Sequence, residues 1–140
     1  MNTNRAEYLT HDGVMISEIS DLLTDIPDGI FIDATYGYGS HFKYLQKKHE
    51  NIDFLAIDRD LEAVNNSPDS HNVEHYNFSN IKEFIENNSI KSISGILYDF
   101  GVSSHQIDSP HRGFSFQHDS VLDMRMDTSQ ELSAEEIINN

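Results

Sequence analysis

The chain changes its hydrophobic period several times, and each change marks an element. Residues 14–23 place apolar side chains at 14, 15, 16, 19, 22 and 23 with polar ones between, the stripe of an amphipathic helix. Pro27-Asp28-Gly29 punctuates a turn. Residues 30–34 (IFIDA) read as a buried strand, and Gly37 and Gly39 follow it. Phe42, Tyr44 and Leu45 predict a helix ending near Lys48-His49. Residues 54–57 (FLAI) form a second buried strand that ends on Asp58, and a short helix from Asp60 to Asn66 stops before Pro68. Residues 73–76 predict a third strand, and Ser79 an N-cap for a helix holding Ile81, Phe84 and Ile85. Residues 93–98 (ISGILY) make a fourth strand, ending on Asp99. Ser133-Ala134-Glu135-Glu136 has the form of a capping box and opens a last helix.

Strands alternating with helices predict an α/β fold with a parallel sheet of about four strands. The fourth strand is apolar enough to want neighbours on both sides, and the last helix begins only a few residues before Asn140. Both features lead to the expectation of an N-terminal portion of something larger. Residues 99–127, "DFGVSSHQIDSPHRGFSFQHDSVLDMRMD", show almost no period. Segments of that length without regular structure are functional or disordered.

Charge and composition narrow the partners. The chain has 9 basic and 24 acidic residues and a formal charge of −15. Nucleic-acid binders usually carry a basic surface, so the total alone argues against such a partner and fits a well-solvated acidic surface. Absence of cysteine excludes disulfides and thiolate metal sites. There is no apolar run long enough to span a membrane, and Met-Asn-Thr-Asn-Arg at the start lacks a secretory apolar stretch. Together these favour a cytoplasmic protein.

The candidate chemistry lies where open α/β sheets bind ligands, beyond the C-terminal strand ends. The segment Asp33-Ala34-Thr35-Tyr36-Gly37-Tyr38-Gly39-Ser40-His41 combines glycines for close backbone approach with a helix start whose N–H groups suit an anion. Asp58 stands where a carboxylate binds ribose hydroxyls, and Asp99 ends the fourth strand. Such a G-x-G fits NAD and S-adenosylmethionine alike; position 42 is Phe, not the third glycine of the dinucleotide motif, which weighs against NAD. A tight turn with no ligand is the plain alternative. Asp99-Phe100-Gly101 spells the kinase magnesium triplet, but no H-R-D loop precedes it and the chain is too short for a kinase. His71 and His75 flank a predicted strand rather than sharing a helix face, so no metal site is expected. In the long loop, Leu122 and Met124 are expected to tuck onto the sheet. Arg112, Arg125, Phe114 and Phe116 could stack on an unstacked base or hold phosphate.

The motifs "DATYGYGSHF", "AIDRD", "NFSN", "GILYDFGVSSHQIDSPHRGFSFQHDSVLDMRMD" and "SAEEIIN" resemble, in order and from His11 onward, the bacterial small-subunit (16S) ribosomal RNA cytosine-N4 methyltransferase family. The resemblance implies methyl transfer from S-adenosylmethionine to the exocyclic amine of a cytidine in small-subunit rRNA. It implies a Rossmann-like methyltransferase domain interrupted by a helical substrate-recognition domain. On this basis residues 1–127 are the N-terminal part of the first and residues 128–140 the truncated start of the second. Carried across by motif, the resemblance implies cofactor contacts from Gly39, Ser40, His41, Asp58, Phe78, Asp99 and Gln106, with Asp99 the catalytic candidate. Val102, Ser103 and Ser104 would line the target amine, and the loop with Arg112, Phe114, Phe116 and Arg125 would present the cytidine. The chain departs from the family at Ser40 and Gly13, which stand where glycine and proline are usual. It departs also at His105, where proline is usual, and at Tyr98 and Phe100, where leucine is common. Ser40 adds a side chain against the cofactor, and the family's chains are longer. A non-catalytic truncated remnant that binds cofactor or a partner chain is the alternative reading.

Overall fold

A computed structural model describes residues 13–140. It contains two compact units, one ending at Asp99 and the other spanning Phe100–Asn140. The boundary expected after residue 127 falls inside the second.

The first unit opens with α1 (Ile16–Leu22) and a 3-10 turn, Leu23–Asp25. There follow β1 (Ile30–Asp33), α2 (Ser40–Lys48), β2 (Asp53–Asp58), α3 (Leu61–Asn65), β3 (Val73–His75), α4 (Ile81–Asn87) and β4 (Ile93–Leu97). The four strands form one sheet in the order β3-β2-β1-β4, all pairs parallel. Alternation along β1 explains the layering. Phe31 points to a core with Phe42 and Leu45 of α2, Phe54 and Ala56 of β2, and Leu23. Ile32 points the opposite way, to Ile57 and to Phe84 of α4. Helices therefore cover both faces, which is why the strands read as apolar runs rather than alternating ones. Phe31 pairs with Phe54 in register, their rings 5.5 Å apart. On its other side Phe31 pairs with Gly95, where a Cβ would lie 2.9 Å from the Phe31 ring.

One expected cap is corrected. Ser79 is not the N-cap of α4. It lies within a 3-10 turn, Phe78–Asn80, and Asn77 caps that turn by accepting the Ser79 N–H at 3.0 Å. The short Asn side chain closes an Asx turn two residues early, and α4 grows out of it without a side-chain cap of its own.

The second unit is more ordered than its sequence predicts. It contains α5 (Ser104–Asp108), a 3-10 turn Pro110–Arg112, and α6 (Ala134–Asn139). Both α-helices open with capping boxes, Ser103 with Gln106 and Ser133 with Glu136. Leu122 and Met124 are 39% and 45% exposed. Backbone bonds hold this stretch, with Glu135 and Ala134 donating to the carbonyls of Leu122 and Asp123. Among the described residues no helix is long and apolar enough to cross a membrane.

Candidate functional site

Three neighbouring strands end near carboxylates: β1 at Asp33, β2 at Asp58, and β4 two residues before Asp99. The segment leaving β1 is stitched to both neighbours. Ala34 N–H donates to the Leu97 carbonyl, Tyr36 N–H to the Ile57 carbonyl, and the Thr35 hydroxyl accepts the Asp99 N–H at 2.7 Å. Thr35 N–H in turn donates to the Asp33 carboxyl at 3.1 Å. Asp58 accepts from Gly37 N–H at 2.6 Å through one oxygen and from Asp60 N–H at 2.8 Å through the other. Each carboxylate oxygen has a second lone pair, so Asp58 keeps acceptor capacity for a hydroxyl while fixing the glycine turn.

Gly37 and Gly39 both lie in the left-handed region, at φ 55° and 75°. Gly39 is the N-cap of α2 and offers no side chain to the first-turn N–H groups. The helix start therefore stays open to an anion. A Cβ on Gly39 would sit 2.6 Å from the Tyr36 hydroxyl oxygen, whereas one on Gly37 would meet only the Thr35 carbonyl at 3.9 Å. Gly39→Ala is thus expected to destabilise the first unit by on the order of 2 kcal/mol and Gly37→Ala by about half that, since only the former adds a clash to the left-handed strain. Urea titrations giving equal midpoints for the two variants would contradict this.

Burial shapes the electrostatics. It pushes the Asp33 carboxyl up to about 7, with Asp58 and Asp99 adding to the rise while the Thr35 N–H and His41 oppose it. Burial also raises Asp58, against the amides that hold it. His41 is buried beside this cluster; its Nε2 lies 2.9 Å from the Val14 carbonyl and its Nδ1 3.8 Å from Asp99. Asp99 itself is about half exposed, its side chain at 48%. The first unit therefore brings Gly39, Ser40, His41, Asp58 and Asp99 to one end of the sheet, with Ser40 half-buried as the first residue of α2. Phe78 follows β3 and meets Tyr98 edge to face at 5.9 Å. Asp33, Thr35 and Tyr36 lie within the segment that the sequence marks as a candidate, but without a role of their own there. Their signal was the polar trio set among apolar neighbours between a strand and a glycine turn.

Both His71 and His75 make contacts within the fold. His71 Nδ1 is 2.7 Å from the Tyr36 hydroxyl, and His75 Nε2 is 3.0 Å from the Arg59 carbonyl. No group of three or more potential ligands is assembled among the described residues.

In the second unit Gln106 is buried, and its side-chain oxygen accepts the Ser103 N–H at 3.0 Å. That oxygen completes the helix cap. Ser103 accepts the Gln106 N–H in return, and Ser104 begins α5. Arg112 is 1% exposed, and its guanidinium donates to the Arg125 and Met126 carbonyls at 3.0 Å each. A buried guanidinium must satisfy its donors locally, and here it braces the loop. Arg125 is likewise engaged. It forks onto Asp123 with contacts of 2.7 to 3.2 Å and donates to the Gln130 carbonyl at 2.6 Å. The Arg125 side-chain hydrogen bond holds the Asp123 carboxyl below its usual value. Phe114 is half-buried with the Arg112 guanidinium 5.9 Å from its ring centre, whereas Phe116 is fully exposed.

The sequence that builds this arrangement matches known proteins. Residues 8–140 fit the model of the MraW methylase family. The chain is 43% identical over 136 residues to the ribosomal RNA small subunit methyltransferase H of Caldicellulosiruptor bescii, covering 92% of this chain and 44% of the relative. The chain thus spans less than half the length of that curated relative. A match that takes in every described residue makes the chain a member of the MraW methylase family.

Proposed function

We propose that the chain carries the methyl-donor site of an S-adenosylmethionine-dependent methyltransferase acting on the N4 amine of a cytidine in small-subunit rRNA. The observation that carries this reading is the open α2 start at Gly39 beside three strand-end carboxylates. The donor set suits S-adenosylmethionine. Uncapped first-turn N–H groups of α2 match its carboxylate, Asp99 its ammonium or the target amine, Asp58 its ribose, and Phe78 its adenine face. Carboxylates also tolerate the sulfonium charge. The bound cofactor supplies an electrophilic methyl group.

The protein's own part is alignment and proton acceptance. Cytosine's exocyclic nitrogen is a weak nucleophile because its lone pair is delocalised into the ring, so positioning dominates. Asp99 is held by the Thr35 hydroxyl through its backbone and stays exposed enough to accept from the amine. The RNA-facing role falls to the second unit, where Phe116 is the fully exposed aromatic suited to stacking on an unpaired base. Ser103 and Ser104 open α5 in the same unit, and Arg112 and Arg125 brace the loop that carries Phe114 and Phe116.

The test is methylation of unmodified small ribosomal subunits by the full-length gene product with radiolabelled cofactor. Asp99→Ala is expected to lower the rate about tenfold to a hundredfold. Labelling confined to another position, or an undiminished rate in Asp99→Ala, would defeat the reading. Cofactor binding with no transfer would support the non-catalytic alternative.

A further inference from the structure

Tyr36 and His71 lie outside the set of residues carried over by motif, yet they sit against the glycine turn. Tyr36 is buried beneath it, its carbonyl accepting the Gly39 N–H at 2.8 Å. The Tyr36 ring occupies the space where a Gly39 Cβ would stand, its hydroxyl oxygen, Cζ and Cε2 all within 3.0 Å of that position. The hydroxyl reaches His71 Nδ1 at 2.7 Å, and the His71 ring also packs on Phe42 of α2, centres 4.9 Å apart. His71 belongs to the segment between α3 and β3, far from the turn in sequence.

We propose that His71, acting through Tyr36, is a positioning residue for the cofactor turn, holding Gly39 in the left-handed conformation that opens the α2 N–H groups. The inference rests on the cofactor reading above for its consequence, although the pair itself is independent of it. The direction of the bond is fixed by chemistry. Burial pushes the Tyr36 hydroxyl up to about 12, so the phenol keeps its proton and donates. Burial, with Lys43 on α2, lowers His71 from 6.5, so its ring is a neutral acceptor at neutral pH. The ionisable groups facing the pair are Lys43 on α2, toward His71, and Asp33 at the end of β1, toward Tyr36, the latter charged only above about 7. The folded state resists protonating His71, so the bond is present above the ordinary histidine range and is lost as pH falls below it. A protonated His71 has no lone pair at Nδ1 for the phenol.

The experiment is an amide and imidazole 15N titration of the 140-residue chain without cofactor, from about pH 7.5 to 5, in the native sequence and in Tyr36→Phe. At the upper pH His71 is expected as the Nε2–H form with a hydrogen-bonded Nδ1. As it protonates, the Gly39 amide should shift with the same midpoint, and in Tyr36→Phe that coupled shift should vanish. S-adenosylmethionine binding by calorimetry should then be about fivefold weaker in Tyr36→Phe at neutral pH, the scale of one lost hydrogen bond, with the native chain falling toward the variant at low pH. A Gly39 amide indifferent to His71 titration, or moving equally in Tyr36→Phe, overturns the proposal. Intact coupling with no cofactor binding leaves the positioning pair standing and overturns the cofactor reading instead.

Discussion

Asp33→Asn is expected to stabilise the first unit by on the order of 4 kcal/mol at about pH 8 and to change little near pH 4. Asp33 is 2% exposed, and burial lifts its carboxyl from 3.8 to about 7. The unfolded chain ionises this group near 4, whereas the folded chain keeps the proton until about 7. Between those values the folded state holds a proton that the unfolded state has released, so stability falls as pH rises through the window. Above it, the folded protein carries a buried charge that only the Thr35 N–H and His41 offset. Asparagine keeps an acceptor for Thr35 N–H and never ionises. Urea midpoints measured across the window should diverge with rising pH; parallel curves for the two proteins would show that the Asp33 charge is compensated in the fold. A destabilising carboxyl at the end of the central strand, beside the proposed cofactor turn, is the signature of a group kept for a ligand rather than for folding. A cationic ligand would favour its ionised form.

Much of the fold was legible because it depends on short apolar runs. IFIDA, FLAI and ISGILY could only be buried strands once glycine, proline and polar turns bounded them, and each lies within a residue or two of the observed strand. What stayed hidden depends on side chains that serve the backbone. Gln106 also stands three residues after Ser103, the capping-box spacing, the same signal that correctly located α6 at Ser133. Ser79 and Asn77 are both plausible caps, and composition does not choose between an Asx turn and an α-helix start. The two loop arginines were the hardest. An Arg in an aperiodic segment looks like a surface charge, and only the positions of the Arg125, Met126 and Gln130 carbonyls show that both also hold the loop backbone.

Arg112→Ala should therefore damage the second unit far more than its loop position suggests, by about 4 kcal/mol. Its guanidinium makes two charge-assisted bonds to the Arg125 and Met126 carbonyls, and its own carbonyl accepts the Met124 N–H at 3.0 Å. Met124 lies at φ 55°, an uncommon conformation for a residue with a Cβ, and the Arg112 carbonyl is its backbone anchor. Alanine would strand two carbonyls and leave a gap beneath Phe114 where the guanidinium now lies. Lysine would restore a charge but not the planar fork, so Arg112→Lys should recover only part of the loss. Because the second unit is a compact unit of its own, local hydrogen exchange is the right measurement. Protection of the Met124 amide should drop by about two to three orders of magnitude in Arg112→Ala. Arg125→Ala removes a fork that is closer to solvent and should cost much less. If Arg112→Ala keeps native protection while abolishing RNA methylation, the arginine contacts substrate after all and the bracing role fails. If protection and methylation fall together and Arg112→Lys restores both in proportion, the arginine acts on RNA only through the loop it holds.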